Sequence, residues 1–283
     1  MNRRPVFLMS VLAFGFAFFY VPILSMIVFS FNNARLATVW GGFSTKWYAK
    51  LFANDQVLDA AWLSVRIALT SATVATILGT MAGIALARFR RFRGRTFFSG
   101  LVTAPLIMPE VITGISTLIF FILISNLLEA AFGWKTQRGF TTITLAHITF
   151  SLTFVTAIIQ SRLRDADIAV EEAAMDLGSR PWQVMKDITL PIISPAILSG
   201  WLLAFTISLD DVVITSFTTG PGSTTLPILI WSKVKLGVTP DINALATITV
   251  CVVGLGVIIA GILLNRAERR RDLDAQMAYR ANE

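Results

Sequence analysis

The stretch Glu172-Ala-Ala-Met-Asp-Leu-Gly-Ser-Arg-Pro-Trp-Gln-Val-Met-Lys-Asp-Ile-Thr-Leu-Pro191 sets charge and turn residues between two long apolar runs. Asp165, Asp167 and Glu171 precede and open a helix that runs through Leu177, and acidic side chains suit that end of a helix dipole. Gly178 supplies a C-terminal stop, Ser179 is the expected N-cap, and Pro181 fits the first turn of a second helix. That second helix is expected to reach Leu190 and stop at Pro191, because proline offers no N–H to the ladder. The stretch therefore predicts two short helices with a sharp bend at Gly178.

Its surroundings belong to a membrane. Of 283 residues, 55% are apolar and only 14% charged, and the mean hydropathy is +0.70, outside the range of a soluble domain. Apolar runs long enough to cross a hydrocarbon core of about 30 Å fall near residues 7–31, 63–87, 97–127, 141–161, 192–212 and 243–265. The expected fold is an all-α polytopic membrane protein with six transmembrane helices. Asn2-Arg3-Arg4 looks like the start of a signal peptide, but the apolar run that follows is too long for one, so it reads as an uncleaved first helix. The third run contains Pro105 and Pro109 and is expected to kink or enter obliquely. Three parts follow: residues 1–62 hold the first helix and an interfacial segment, 63–265 a five-helix core, and 266–283 a basic tail.

Orientation follows from the basic residues. With an even number of spans, the side holding both termini also holds the loops 88–95 and 162–191, and sixteen Lys and Arg fall there. Seven (Arg35, Lys46, Lys50, Lys135, Arg138, Lys233 and Lys235) fall on the other, and Arg66 opens the second span at its outer interface. The positive-inside rule places both termini and the 162–191 loop in the cytoplasm, and the arginines of 88–95 suit anionic lipid headgroups. The net charge of +7 thus reports topology rather than nucleic-acid binding. Cys251 is the single cysteine, so no intrachain disulfide forms. No G-x4-G-K-[ST] loop, HExxH or nucleophile–base pairing occurs, so this reads as neither a motor nor an enzyme, and it needs no cofactor or metal of its own.

Glu172-Ala173-Ala174, Gly178, Ile188 and Leu190-Pro191 match the EAA-x3-G-x9-I-x-LP signature and thereby resemble the permeases of bacterial ABC importers. The resemblance implies a type I ABC importer permease fold in the inner membrane, with this loop as the cytoplasmic coupling segment inserted into a groove of a separate ATPase. It also implies a second, related permease, two ATPase subunits that bind the ATP, and a periplasmic binding protein. Glu172 and Gly178 are then the principal docking residues.

Ionisable residues within apolar runs are costly in lipid and point to a path. Glu110 follows Pro109, and Asp210-Asp211 lie 19 and 20 residues beyond Pro191, with no Lys or Arg near in sequence. Acids along a water-filled path suit a cationic substrate. For the Asp pair, a helix end at the wet interface is the plain alternative; for Glu110 it is a protonated or hydrogen-bonded packing residue. His147 reads as a neutral ring bonded to a neighbouring helix, and Gly79 with Gly83 as a helix-packing pair. Trp40, Phe43, Trp47 and Tyr48 read as an interfacial aromatic belt, and Gly220–Pro227 as a turn cluster that folds partly back into a cavity. Over nearly its whole length the chain resembles polyamine-importer permeases, most nearly the second-permease branch of the putrescine importers. The carrying stretches are Thr38–Tyr48, the Glu110 region, Ser208-Leu-Asp-Asp211, Thr219–Gly222 and Asn243–Thr247. That resemblance implies putrescine or spermidine uptake along a path including Trp47, Glu110, Ser208, Asp210 and Asp211. The alternatives are the same permease carrying another small cation, or an ion channel.

Overall fold

Pro109 decides where the third apolar run breaks. Pro109 lacks an N–H, and the residue before a proline is pushed out of the helical region, so Met108 and Pro109 are both extended, with ψ 137°. The computed structural model, which describes residues 3–34, 39–89, 91–237 and 239–281, is helical throughout apart from one isolated bridge between Asn32 and Phe43. In chain order the helices are α1 (Arg3–Ser30), α2 (Lys46–Phe52), α3 (Asp55–Arg88), α4 (Arg95–Ile107), α5 (Glu110–Phe132) and α6 (Phe140–Asp165). They continue as α7 (Ala169–Asp176), α8 (Pro181–Val184), α9 (Leu190–Asp210), α10 (Val213–Thr218), α11 (Leu226–Leu236) and α12 (Pro240–Ala281).

Five helical segments among the described residues are long and apolar enough to cross a membrane: Val6–Ser30, Asp55–Arg88, Glu110–Phe132, Phe140–Asp165 and Pro181–Asp210. Six were expected. The sixth interval, 243–265, lies on α12, whose described apolar stretch, Pro240–Gly256, is shorter than a span. The third interval is not one kinked helix but two, and α4, with 13 residues, reaches only about 20 Å at helical rise. Arg35, Thr38 and Arg90, which entered the charge and resemblance arguments, lie outside the described residues, as do the side chains of the basic tail.

Two further expectations are corrected near the loop. Ser179 is not the cap of α8; the cap position is Arg180, whose N–H donates to Gln183 Oε1 at 2.8 Å. Pro191 does not end a helix either. A wide π turn, Met185–Thr189, joins α8 to α9, and Pro191 lies in the first turn of α9. A proline in the first turn displaces no ladder bond that the wide turn has not already given up.

The chain divides into two compact units, Met1–Val57 with Ser232–Glu283, and Leu58–Trp231. In the first, α12 packs against α1 and α2. In the second, α6 and α9 form the core with α3, through Ala72, Val155, Ile159, Leu163, Ile193 and Ala204, all fully buried. Gly79 and Gly83 serve this packing as expected: a Cβ on either would lie 2.7 Å from Val155 or 2.8 Å from Ile159. Arg66 spreads its guanidinium over the Phe140 ring, 5.0 Å from the centroid, which places its charge at the start of α6.

Candidate functional site

Two parts of the second unit carry the loop and path residues singled out from sequence, Trp47 excepted. The first is the loop. Asp167 Oδ1 accepts the Ala169 N–H at 2.9 Å and starts α7. The helix ends in a Schellman arrangement, with Ser179 N–H donating to Ala174 O at 3.0 Å and Gly178 N–H to Met175 O at 2.9 Å. Gly178 takes φ +90°, a conformation that costs an L side chain about 1–2 kcal/mol. The expected bend therefore lies at Gly178.

The bend arranges the surface. Glu172 and Ala173 are exposed, Ala174 is half-buried, and Leu177 and Trp182 stand 89% and 69% exposed. Ile188 and Leu190 are half-buried and Pro191 is exposed. The carboxylates of Glu172 and Asp176 and the apolar side chains of Met175, Leu177 and Trp182 are thus exposed together around one short turn. Leu177 and Trp182 were not picked out from sequence, where they carried no more weight than any apolar residue of a helix.

The second part lies where two helices break. Glu110 opens α5 immediately after the Met108–Pro109 break, and Asp210 closes α9 immediately before an extended Asp211. α5 and α10 pack together, with Phe217 against Gly114. Glu110 and Asp210 are exposed, at the start of α5 and just before α10, the two helices that pack together, and neither has a cationic partner among the described residues. Asp210 stands at the carbonyl end of α9, where the helix dipole adds to its negative potential.

Asp211 and Ser208 face the other way. Asp211 Oδ2 accepts the Thr215 N–H at 2.7 Å and the Thr215 hydroxyl at 2.6 Å, and Oδ1 accepts the Ile214 N–H at 3.2 Å. Its carboxylate is thereby the cap of the short α10, and His147 Nε2 lies 3.3 Å from it. His147 is buried and also bonds Ser208 Oγ at 2.6 Å and Thr215 Oγ1 at 2.9 Å. Ser71 donates to Ser208 at 2.9 Å. This network ties α3, α6, α9 and α10 together behind the break. The His147 ring is thus bonded to neighbouring helices, as its sequence setting implied.

Trp47 lies in the first unit. It is nearly buried, and its indole N–H donates to Asn32 O at 2.7 Å. Lys46 and Lys50 lie over its ring at 5.0 and 5.6 Å.

A family model described as the binding-protein-dependent transport system inner membrane component matches residues 75–273. The putrescine transport system permease protein PotI of Escherichia coli K12 is 51% identical over 284 residues, covering 99% of this chain and 100% of that protein. The spermidine/putrescine transport system permease protein PotC of the same organism is 43% identical over 251 residues, covering 89% and 90%. Among solved structures, a bacterial ABC transporter that imports the acidic polysaccharide alginate matches with a TM-score of 0.73 at 17% identity, over 93% of this chain and 96% of that one. The inward-facing MetNI methionine ABC transporter matches with a TM-score of 0.60 at 13% identity, over 74% and 95%. At those identities the likeness is one of fold: an all-α, multi-pass permease of the ABC importer type. The chain belongs to the family of binding-protein-dependent transport system inner membrane components.

Proposed function

We propose that this chain is a permease subunit of an ATP-driven importer and forms half of a path for polyamine uptake, putrescine foremost and spermidine as the longer homologue. The observation that carries the cargo is two exposed carboxylates, Glu110 and Asp210, at the breaks before α5 and after α9, neither with a cationic partner among the described residues. Irregular backbone within apolar segments is tolerated only where it is buried in protein or lines water, and broken helices are where transporters hold their solutes. A diamine is a flexible dication whose two ammonium groups can meet two carboxylates in turn. The extent of likeness to the putrescine and spermidine/putrescine permeases supports the same cargo. Asp211 and Ser208 act behind the path, shaping it through His147. Trp47, with lysines over its ring, is assigned a structural place.

In this reading the loop Glu172–Pro191 is the EAA coupling loop and faces the cytoplasm, as do both termini, and α12 supplies the sixth span. Glu172, Leu177 and Trp182 enter a groove of the ATPase, of which two copies serve this chain and a second, related permease. A periplasmic binding protein delivers the polyamine. ATP-driven closure moves the loop, and the path alternates between two openings.

The test is uptake of labelled putrescine by the assembled importer carrying Glu110→Gln and Asp210→Asn together. Loss of uptake from a complex that still assembles and hydrolyses ATP is expected. Wild-type uptake by that double variant would remove both acids from the path.

A further inference from the structure

One carboxylate of the loop is turned away from the docking face. Arg88, the last residue of α3, donates to Glu171 Oε1 from Nη2 at 2.9 Å and from Nε at 3.2 Å. Its Nη1 donates to the backbone oxygen of Leu163, near the end of α6, at 3.0 Å. Thr189, in the π turn that leads into α9, donates its hydroxyl to the same Glu171 oxygen at 3.0 Å. Glu171 and Thr189 are buried, while the neighbouring Glu172 is exposed. Three elements, α3, α7 and the entry to α9, therefore meet at one carboxylate, and α6 joins them through Arg88.

The need for such a junction is visible in the backbone. α7 is joined to α6 through an extended Ala166, and to α9 only through the αL bend at Gly178 and the π turn. A push on a loop attached by these links alone would be absorbed by rotation at the links. A groove of about 450 Å³ lined by Ala87, Arg88, Leu163, Arg164, Asp165 and Asp167 leaves room for that rotation. Multiple charge-assisted bonds at low exposure resist it far better than a surface ion pair would.

We infer that Glu171, clamped by Arg88 and Thr189, is a positioning residue for energy coupling: it fixes α7 to α3, α6 and α9 so that displacement of the docking face reaches the membrane helices. This rests on the docking reading and assigns the neighbouring carboxylates separate tasks, Glu172 toward the ATPase and Glu171 toward the membrane.

The experiment uses the complete importer in proteoliposomes, with putrescine uptake, ATP hydrolysis and ATPase retained on purification measured for each variant. Glu171→Gln and Arg88→Gln should keep the ATPase and its hydrolysis while uptake per ATP falls about tenfold, the range by which residues along a coupling network act. The double variant should be no worse than either single, since all three remove one link. Thr189→Val should lower uptake per ATP about threefold on the same scale, and Thr189→Ser should restore it. Unchanged uptake per ATP in Glu171→Gln, or additive losses in the double variant, would overturn the inference. So would loss of the ATPase from Glu171→Gln together with full coupling in Thr189→Val, an outcome marking Glu171 as a folding residue. Failure of the docking reading shows elsewhere, as Glu172→Lys keeping both its ATPase and its uptake.

Discussion

Glu171 at the loop and Glu110 at the helix break are both carboxylates in or beside apolar segments, yet they are treated in opposite ways. Glu171 is buried and takes bonds from Arg88 and Thr189, whereas Glu110 is exposed and has no cation among the described residues. The same contrast recurs between neighbours in sequence: Asp211 caps α10 and meets His147, while Asp210 has no cation among the described residues. A carboxylate already paired within the chain holds elements together. One left unpaired at a helix break keeps a negative potential that a mobile cation can satisfy. The difference between regions is thus one between transmission and passage.

The largest effect that would break this comparison is at the exposed side of the loop. Glu172→Lys should reduce uptake to background and release the ATPase, checked by co-purification and by uptake assay. Next, Glu110→Gln with Asp210→Asn should lower uptake more than about tenfold while stability moves by no more than about 0.5 kcal/mol, as for other surface changes; thermal unfolding in detergent checks the second half. Asp211→Ala should behave in the reverse manner. It strips an acceptor from the Ile214 and Thr215 N–H groups and from His147, and leaving buried donors unmet costs about 1–3 kcal/mol, read as a lowered midpoint. Equal midpoints for Asp210→Ala and Asp211→Ala would erase the distinction between the two.

A smaller effect should follow at Gly114, where a Cβ would lie 2.5 Å from Phe217 Cδ2. Gly114→Ala should cost about 1–3 kcal/mol by overpacking, and Phe217→Leu should recover part of it. The smallest is at Trp47. Trp47→Phe loses the bond to Asn32 O, about 0.5–1.5 kcal/mol, and some packed ring area, with KM for putrescine unchanged. A raised KM at unchanged stability would return Trp47 to the path.

Much of this was legible in the chain itself. Composition and apolar run length place it in a membrane, since apolar surface of that extent has no other home. Pro109 marks a disruption of the third run, and Gly178 marks the bend of the loop, because both act through backbone geometry that is local to them. Pro191 misled for a related reason: a proline stops a helix only where its missing N–H is needed, and the π turn before it had removed that need. Glu110, Asp210 and Asp211 were visible as acids in apolar company.

What the sequence could not decide was which of those acids are spoken for. Arg88 and Glu171 are 83 residues apart, and His147 stands 61 residues from Ser208. In the sequence Arg88 is one of five arginines in a topogenic loop, and Glu171 one of several acids suited to a helix start. By itself, then, the sequence determined the membrane class, the breaks at Pro109 and Gly178 and the spacing of the loop. The tertiary structure alone decided which carboxylates are clamped and which are left open, because pairing depends on helices brought together across the fold, not on neighbours along the chain.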